Sequence, residues 1–188
     1  HTQDYVNPLS REGVSKYIEL VHERHYQRYG ALFGTRIAGF FTDEPRFGNI
    51  TGYDRIIGSC GMPLPYVDGL LDILSAYPLG DFGRFLPLLW YPGSKNAFRD
   101  ARYAYMDAVS RLFAENFMGQ LGDWCRAHNV RLIGHVVEEN GAHARLGYGA
   151  GHFFRAMRPM DMAGIDVVDN LLPEQTSGNY ATLFNEFD

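Results

Sequence analysis

The stretch Arg36-Ile37-Ala38-Gly39-Phe40-Phe41-Thr42-Asp43-Glu44-Pro45 decides how the rest of the chain reads. Residues 36–41 form a short, non-alternating apolar run, the pattern of a strand buried on both faces of a parallel sheet. Thr42 to Pro45 end that run and leave two carboxylates at its C-terminal tip. Working outward, the same design recurs twice. Val130-Arg131-Leu132-Ile133-Gly134-His135-Val136-Val137 reads as a second buried strand that ends in Glu138-Glu139-Asn140. A third strand is expected at Gly164-Ile165-Asp166-Val167-Val168, ended by Asp169-Asn170.

Helical patterns separate these strands. Asn7 can cap the first helix with Pro8 in its first turn, and Ser10 is an alternative cap. Val14, Tyr17, Ile18, Val21, His25 and Tyr29 recur at helical spacing, and Gly30 is a natural stop. A long helix is expected over residues 97–127, with an apolar stripe through Phe98, Ala101, Tyr105, Val109, Leu112, Phe113, Phe117, Leu121 and Trp124. Asn129 can take the left-handed stop position, and a short helix is expected at Phe153–Met157. Residues 46–96 are different, with many Gly, Pro and scattered aromatics and one helical patch at 67–77. A structureless loop of that length is unusual, so this excursion is expected to carry a small core of its own.

Alternation of strand and helix implies an α/β chain with a parallel sheet. The expectation is a single domain over residues 1–188, a (β/α) barrel-type (TIM-like) fold in incomplete form. A whole barrel needs about 250 residues, and only three or four strands are found here. An incomplete barrel leaves open sheet edges, from which self-association is expected. The chain starts at His1 without a Met and stops at Phe187-Asp188 in mid-pattern, so it reads as an excised segment or a processed product.

At 46 % hydrophobic and 21 % charged, the composition is that of an ordinary globular chain able to bury a core. A net charge of −5 argues against nucleic acid as a partner, because neutralising phosphates requires clustered cations. No run of about 18 apolar residues is present, so no membrane span is expected. Cys60 and Cys125 make no disulfide framework or metal motif, and a cytosolic or an exported origin fits equally. Aromatics reach 14 %, with 12 Tyr and 13 Phe. Part of that excess suits flat walls on which the C–H faces of sugars pack.

Position is the informative feature for chemistry. If the strands are parallel neighbours, their C-terminal ends converge on one face and bring together Asp43 and Glu44, Glu138 and Glu139, and Asp169. Glu44 would then oppose Glu138 or Glu139 across a pocket roofed by the excursion. Two opposed carboxyls are the minimal equipment for cleaving a glycosidic bond, one protonating the leaving oxygen and the other attacking or activating water. Single acidic residues at strand ends more often cap helices or pair with Arg, but three consecutive strands ending this way are harder to explain so.

Four stretches together resemble glycoside hydrolase family 106, whose known members are α-L-rhamnosidases. They are Asp4-Tyr5-Val6-Asn7-Pro8, Phe41-Thr42-Asp43-Glu44-Pro45, Leu112-Phe113-Ala114-Glu115-Asn116-Phe117, and Gly134-His135-Val136-Val137-Glu138-Glu139. The resemblance implies an inverting, calcium-assisted mechanism using glutamates at strand ends. By motif match, Glu44 and Glu138 carry over as pocket carboxylates and His135 as a pocket residue. Asp43, Glu139 and Asp169 are expected to touch substrate. The family's other essential glutamate lies on a later strand, and Glu186 has no strand pattern around it.

Other features read more plainly. His135 and Glu138 leave a strand, not the helix that zinc motifs of that spacing require. His22 and His25 are expected on a half-exposed helix face, and His143 and His152 flank a Gly-rich loop at 147–151 that lacks any phosphate-binding frame. Trp90 and Tyr91, in the excursion, are the preferred sugar-stacking residues, with packing of the excursion as the alternative. Arg145, Arg155 and Arg158 either anchor carboxylates or lie on the surface. The leading expectation is therefore a glycosidase segment with a carbohydrate substrate. Its rivals are a non-catalytic carbohydrate-binding or scaffold fragment, and a metal-dependent hydrolase or lyase using the Asp and Glu residues as ligands.

Overall fold

The computed structural model describes residues 5–49, 61–137 and 145–166. Glu138, Glu139 and Asp169 lie outside those residues, as do Cys60, His143 and Glu186.

The first helix, α1, spans residues 11–29. Ser10 is its cap, with Oγ accepting a hydrogen bond from the Gly13 amide at 3.0 Å. Asn7 instead braces the lead-in, accepting from the Leu9 amide at 3.1 Å and donating to the Tyr66 carbonyl at 2.7 Å. Within α1, the segment Glu19–Glu23 is wound as a π-helix between α-helical Arg11–Ile18 and Arg24–Tyr29. Its wider i→i+5 turn rotates the following residues relative to a regular helix. The apolar stripe expected through His25 and Tyr29 therefore breaks, and both are exposed. His22 turns inward in their place, and only 5 % of it remains accessible.

After the short helix α2 (Leu70–Ser75), the long helix α3 covers residues 95–127, with its own π segment at Phe113–Gly119. Ala101, Tyr105, Val109, Phe113, Phe117 and Leu121 are all buried, as their spacing implies. Asn129 adopts the left-handed conformation at φ 59°, and the Val130 amide closes back on the Cys125 carbonyl at 3.0 Å. This turn delivers the chain directly into a strand. The last helix is α4 (Phe153–Met157).

Three strands, β1 (Gly39–Thr42), β2 (Arg131–Gly134) and β3 (Met162–Ala163), form a parallel sheet in the order β1-β2-β3. Phe40 pairs with Leu132, on the face that α1 and α3 cover. Phe41, Ile133 and Met162 occupy the next register row, on the opposite face. There Phe41 is 63 % and Met162 49 % exposed.

This arrangement corrects the barrel expectation. A (β/α) barrel closes eight strands into a ring with helices outside. Among the described residues the sheet has only three strands, of four, four and two residues. They are too few and too short to curve into a wall, whole or incomplete. Nor are the strands buried on both faces, because the described helices pack on one. The third strand also falls two residues before the expected 164–168. The fold is mixed α/β, a small parallel sheet backed by α1 and α3.

The excursion corrects a second expectation, that of a separate small core. Leu70, Leu74, Phe82 and Leu89 join the same apolar cluster as the α3 side chains. The Tyr105 hydroxyl donates to the Pro65 carbonyl at 2.7 Å, and Arg102 donates to the Leu89 carbonyl at 2.8 Å. The described part of the excursion is thus a sheath along α3.

Phe113 sits at the junction of these layers, fully buried, with ring centroids 5.8 Å from Phe47 and 5.6 Å from Phe117. Phe113→Ala is expected to cost about 3–5 kcal/mol, since the cavity left behind cannot collapse without moving α3. Urea unfolding checks it as a lower midpoint with an unchanged slope.

Candidate functional site

The β1–β2 pairing brings the strand-end residues together. Gly134 has φ 148°, and a Cβ there would lie 2.1 Å from the Thr42 carbonyl oxygen, so only glycine permits this approach. The ladder continues one step further, with the His135 amide donating to that oxygen at 3.3 Å. This sets the His135 ring beside the chain that leaves β1. Its Nε2 lies 3.1 Å from Asp43 Oδ1 and its Nδ1 lies 3.2 Å from the Val136 carbonyl. The His135 side chain is 8 % exposed, whereas the Asp43 side chain is 73 % exposed, so the pair joins the interior to the surface.

Glu44 follows at φ 46°, a left-handed conformation uncommon for a residue with a Cβ. The reversal turns its carboxylate back over the sheet end, where Arg46 Nη2 pairs with Oε2 at 3.2 Å. Glu44, His135 and Asp166 each offer a ligand atom, and the three atoms lie within 4.8 Å of one another. Two expected site residues, Glu44 and His135, are therefore neighbours, and Asp43 contacts one of them. Asp166 was not among the expected site residues. With the third strand placed at 164–168, Asp166 reads as mid-strand; because β3 ends at Ala163, it is a strand-end carboxylate like the others.

Among the described residues, the set of two carboxylates and an imidazole does not fit the calcium that the family resemblance implies. Calcium takes six to eight hard oxygen ligands. A mixed nitrogen and oxygen set suits zinc, manganese or another divalent transition metal.

Trp90 and Tyr91 stand elsewhere. The Trp90 indole donates to the Met62 carbonyl at 2.7 Å and packs on the core, while Tyr91 is exposed. His152 caps α4, its Nδ1 accepting from the Arg155 amide at 3.3 Å. Arg155 pairs with Asp107 at 2.8 Å, and Asp107 also accepts the Tyr77 hydroxyl at 2.5 Å. These contacts are structural ties between α4, α3 and the excursion.

Adjoining the strand end is a cavity of about 410 Å³ between α1, α3 and β1. Thr42, Asp43, Pro45 and Arg46 belong to it, and so does His22. His22 is ringed by Phe40 at 4.6 Å, Trp124 at 5.3 Å and Tyr17 at 5.4 Å, and its buried Nδ1 has no hydrogen-bond partner among the described residues. The spacing of His22 and His25 suggested a half-exposed face; only the π segment, which has no simple sequence signal, turns His22 inward.

No family model, curated protein or solved structure matches the chain.

Burial, and secondarily the nearby His25, pushes the His22 pKa down from 6.5 to about 4. An unfolded chain takes up this proton near pH 6.5 and the folded one resists until about pH 4, so the unfolded state binds more protons between those values. Stability carried by neutral His22 is therefore complete above pH 6.5 and declines as pH falls towards 4. The loss is on the order of 3 kcal/mol. Denaturant titrations at several pH values in this window should show a shallower acid loss for His22→Phe than for the unaltered chain. Parallel curves would remove His22 as the cause.

Proposed function

We propose that the chain belongs to a glycoside hydrolase in which Glu44 is a catalytic carboxylate at the end of β1. One observation carries the reading. Glu44, His135 and Asp166 meet at the C-terminal ends of three adjacent parallel strands, where catalytic groups of parallel α/β sheets gather. The resemblance to α-L-rhamnosidases makes α-L-rhamnosides the first substrates to test.

The chemistry needs one carboxyl that holds a proton for the leaving oxygen and one carboxylate that attacks or activates water. Glu44 and Asp166, with ligand atoms within 4.8 Å, have the close spacing of a retaining pair. An inverting pair stands roughly 6.5–9.5 Å apart to admit water between sugar and base. Inversion, which the resemblance implies, would therefore pair Glu44 with a different carboxylate, either Glu138 or the glutamate that the family carries on a later strand. The anomer released first, followed by NMR, separates the two: retention assigns Asp166 and inversion excludes it as the partner of Glu44.

Glu44→Gln in the intact enzyme is expected to lower turnover by about 10²–10⁴-fold. Glu44 is a half-exposed side chain outside the core cluster, so thermal stability should barely change. Undiminished turnover in this variant would end the reading.

The imidazole in the cluster favours a second reading, a hydrolase or lyase that works through a divalent transition metal held by Glu44, His135 and Asp166. Calorimetric titration of metal-free protein with zinc distinguishes it. A metal enzyme binds one equivalent and loses that binding in Asp166→Asn, whereas a metal-free glycosidase retains its turnover after chelation.

A further inference from the structure

The open face of the sheet carries a flat apolar surface that the strand-end chemistry has not yet used. Phe41, Ile133 and Met162 pair in one row across the three strands. With strands about 4.8 Å apart, the row is about 10 Å wide. Phe41 is 63 % exposed, far more than Phe154, the other exposed phenylalanine among the described residues. A phenyl ring has no hydroxyl to offer water, so covering it is favourable. Its place ties it to the cluster. The Phe41 ring centroid lies 5.8 Å from that of His135, and the ligand atoms of His135, Glu44 and Asp166 lie within 4.8 Å of one another. The exposed ring therefore borders the proposed catalytic carboxylate.

We propose that Phe41 is the platform on which a sugar ring of the substrate stacks, with its C–H face on the phenyl ring and its hydroxyl edge towards Glu44. The inference rests on the glycosidase reading of the strand end. The surroundings of Phe41 select among ligand chemistries. An anion meets Asp43, Glu44 and Asp166 at the end of the row, and the nearby Arg46 is already paired with Glu44 at 3.2 Å. A plain hydrocarbon would cover the same carboxylates without replacing the hydrogen bonds they make to water. A protein partner needs about 800 Å² on each side, far more than a row of three side chains offers. A sugar matches both parts, because one face of its ring is apolar and its edge carries donors for carboxylate oxygens. Phe41 thus takes the stacking role that the sequence assigned to Trp90 and Tyr91, which stand elsewhere.

The test is binding of methyl α-L-rhamnopyranoside, methyl α-D-glucopyranoside and methyl α-D-galactopyranoside to the whole chain by ligand-observed NMR, so that no turnover is required. At least one is expected to bind with a Kd on the order of 10 mM. Phe41→Ala should weaken that binding about tenfold. Phe41→Leu should weaken it nearly as much, because Leu keeps apolar area but not the flat face, and Phe41→Trp should restore it. Phe41 lies outside the core cluster, so the melting temperatures of all three variants should stay close to that of the unaltered chain. Failure of every glycoside to bind at about 100 mM, or equal affinity in Phe41→Ala, overturns the proposal and leaves the Glu44 reading to its own turnover test. Binding lost in Phe41→Ala and not restored by Phe41→Trp overturns it too. Phe41-dependent binding by an intact enzyme that cleaves no glycoside overturns the Glu44 reading instead, and with it the assignment of the bound sugar as substrate.

Discussion

The close approach of Gly134 to the Thr42 carbonyl is the contact on which the strand-end arrangement depends. With no Cβ at Gly134, the two backbones come near enough for the His135 amide to extend the ladder beyond the strand. That extra hydrogen bond fixes where the His135 ring stands, and Asp43 meets it there. The left-handed turn at Glu44 then folds a second carboxylate over the same point. Asp166 completes the group because β3 runs beside β2 and the Gly164 amide donates to the Gly134 carbonyl at 2.8 Å. One glycine thus connects all three strands to the chemistry at their ends.

The two long helices serve this arrangement from behind. Each carries a π segment, Glu19–Glu23 in α1 and Phe113–Gly119 in α3, and each such segment re-aims the side chains that follow it. In α1 the result is an imidazole among aromatic rings in place of a surface histidine. In α3 it lets Phe113, Ala114, Phe117 and Met118 all be buried over little more than one turn. Helical phase, not residue type alone, decides which groups become interior.

Much of this was legible in the sequence, in unequal parts. The parallel strand positions of β1 and β2 followed from apolar runs, and α3 from its stripe, because burial demands those periodicities. The strand-end location of Glu44 and His135 followed from the same reading. The barrel did not follow. Strand-like runs report that a segment is apolar, but closure depends on strand number and tilt, which no local pattern encodes. Asp166 was missed because an apolar run does not mark where pairing stops, and His22 because a π turn leaves no mark in residue spacing. Ser10 over Asn7 was a choice between two chemically equal caps that only the tertiary contact with Tyr66 decides.

The pairing of Gly39 with Arg131 has a kinetic consequence. These partners stand far apart along the chain, so the loop between them must close before the first sheet hydrogen bond forms, at an entropic cost that nothing local offsets. Helix α3 and its turn at Asn129, by contrast, are made of neighbours. The order of assembly is then helix first and sheet last. The residues proposed to carry chemistry are among the last to reach their places.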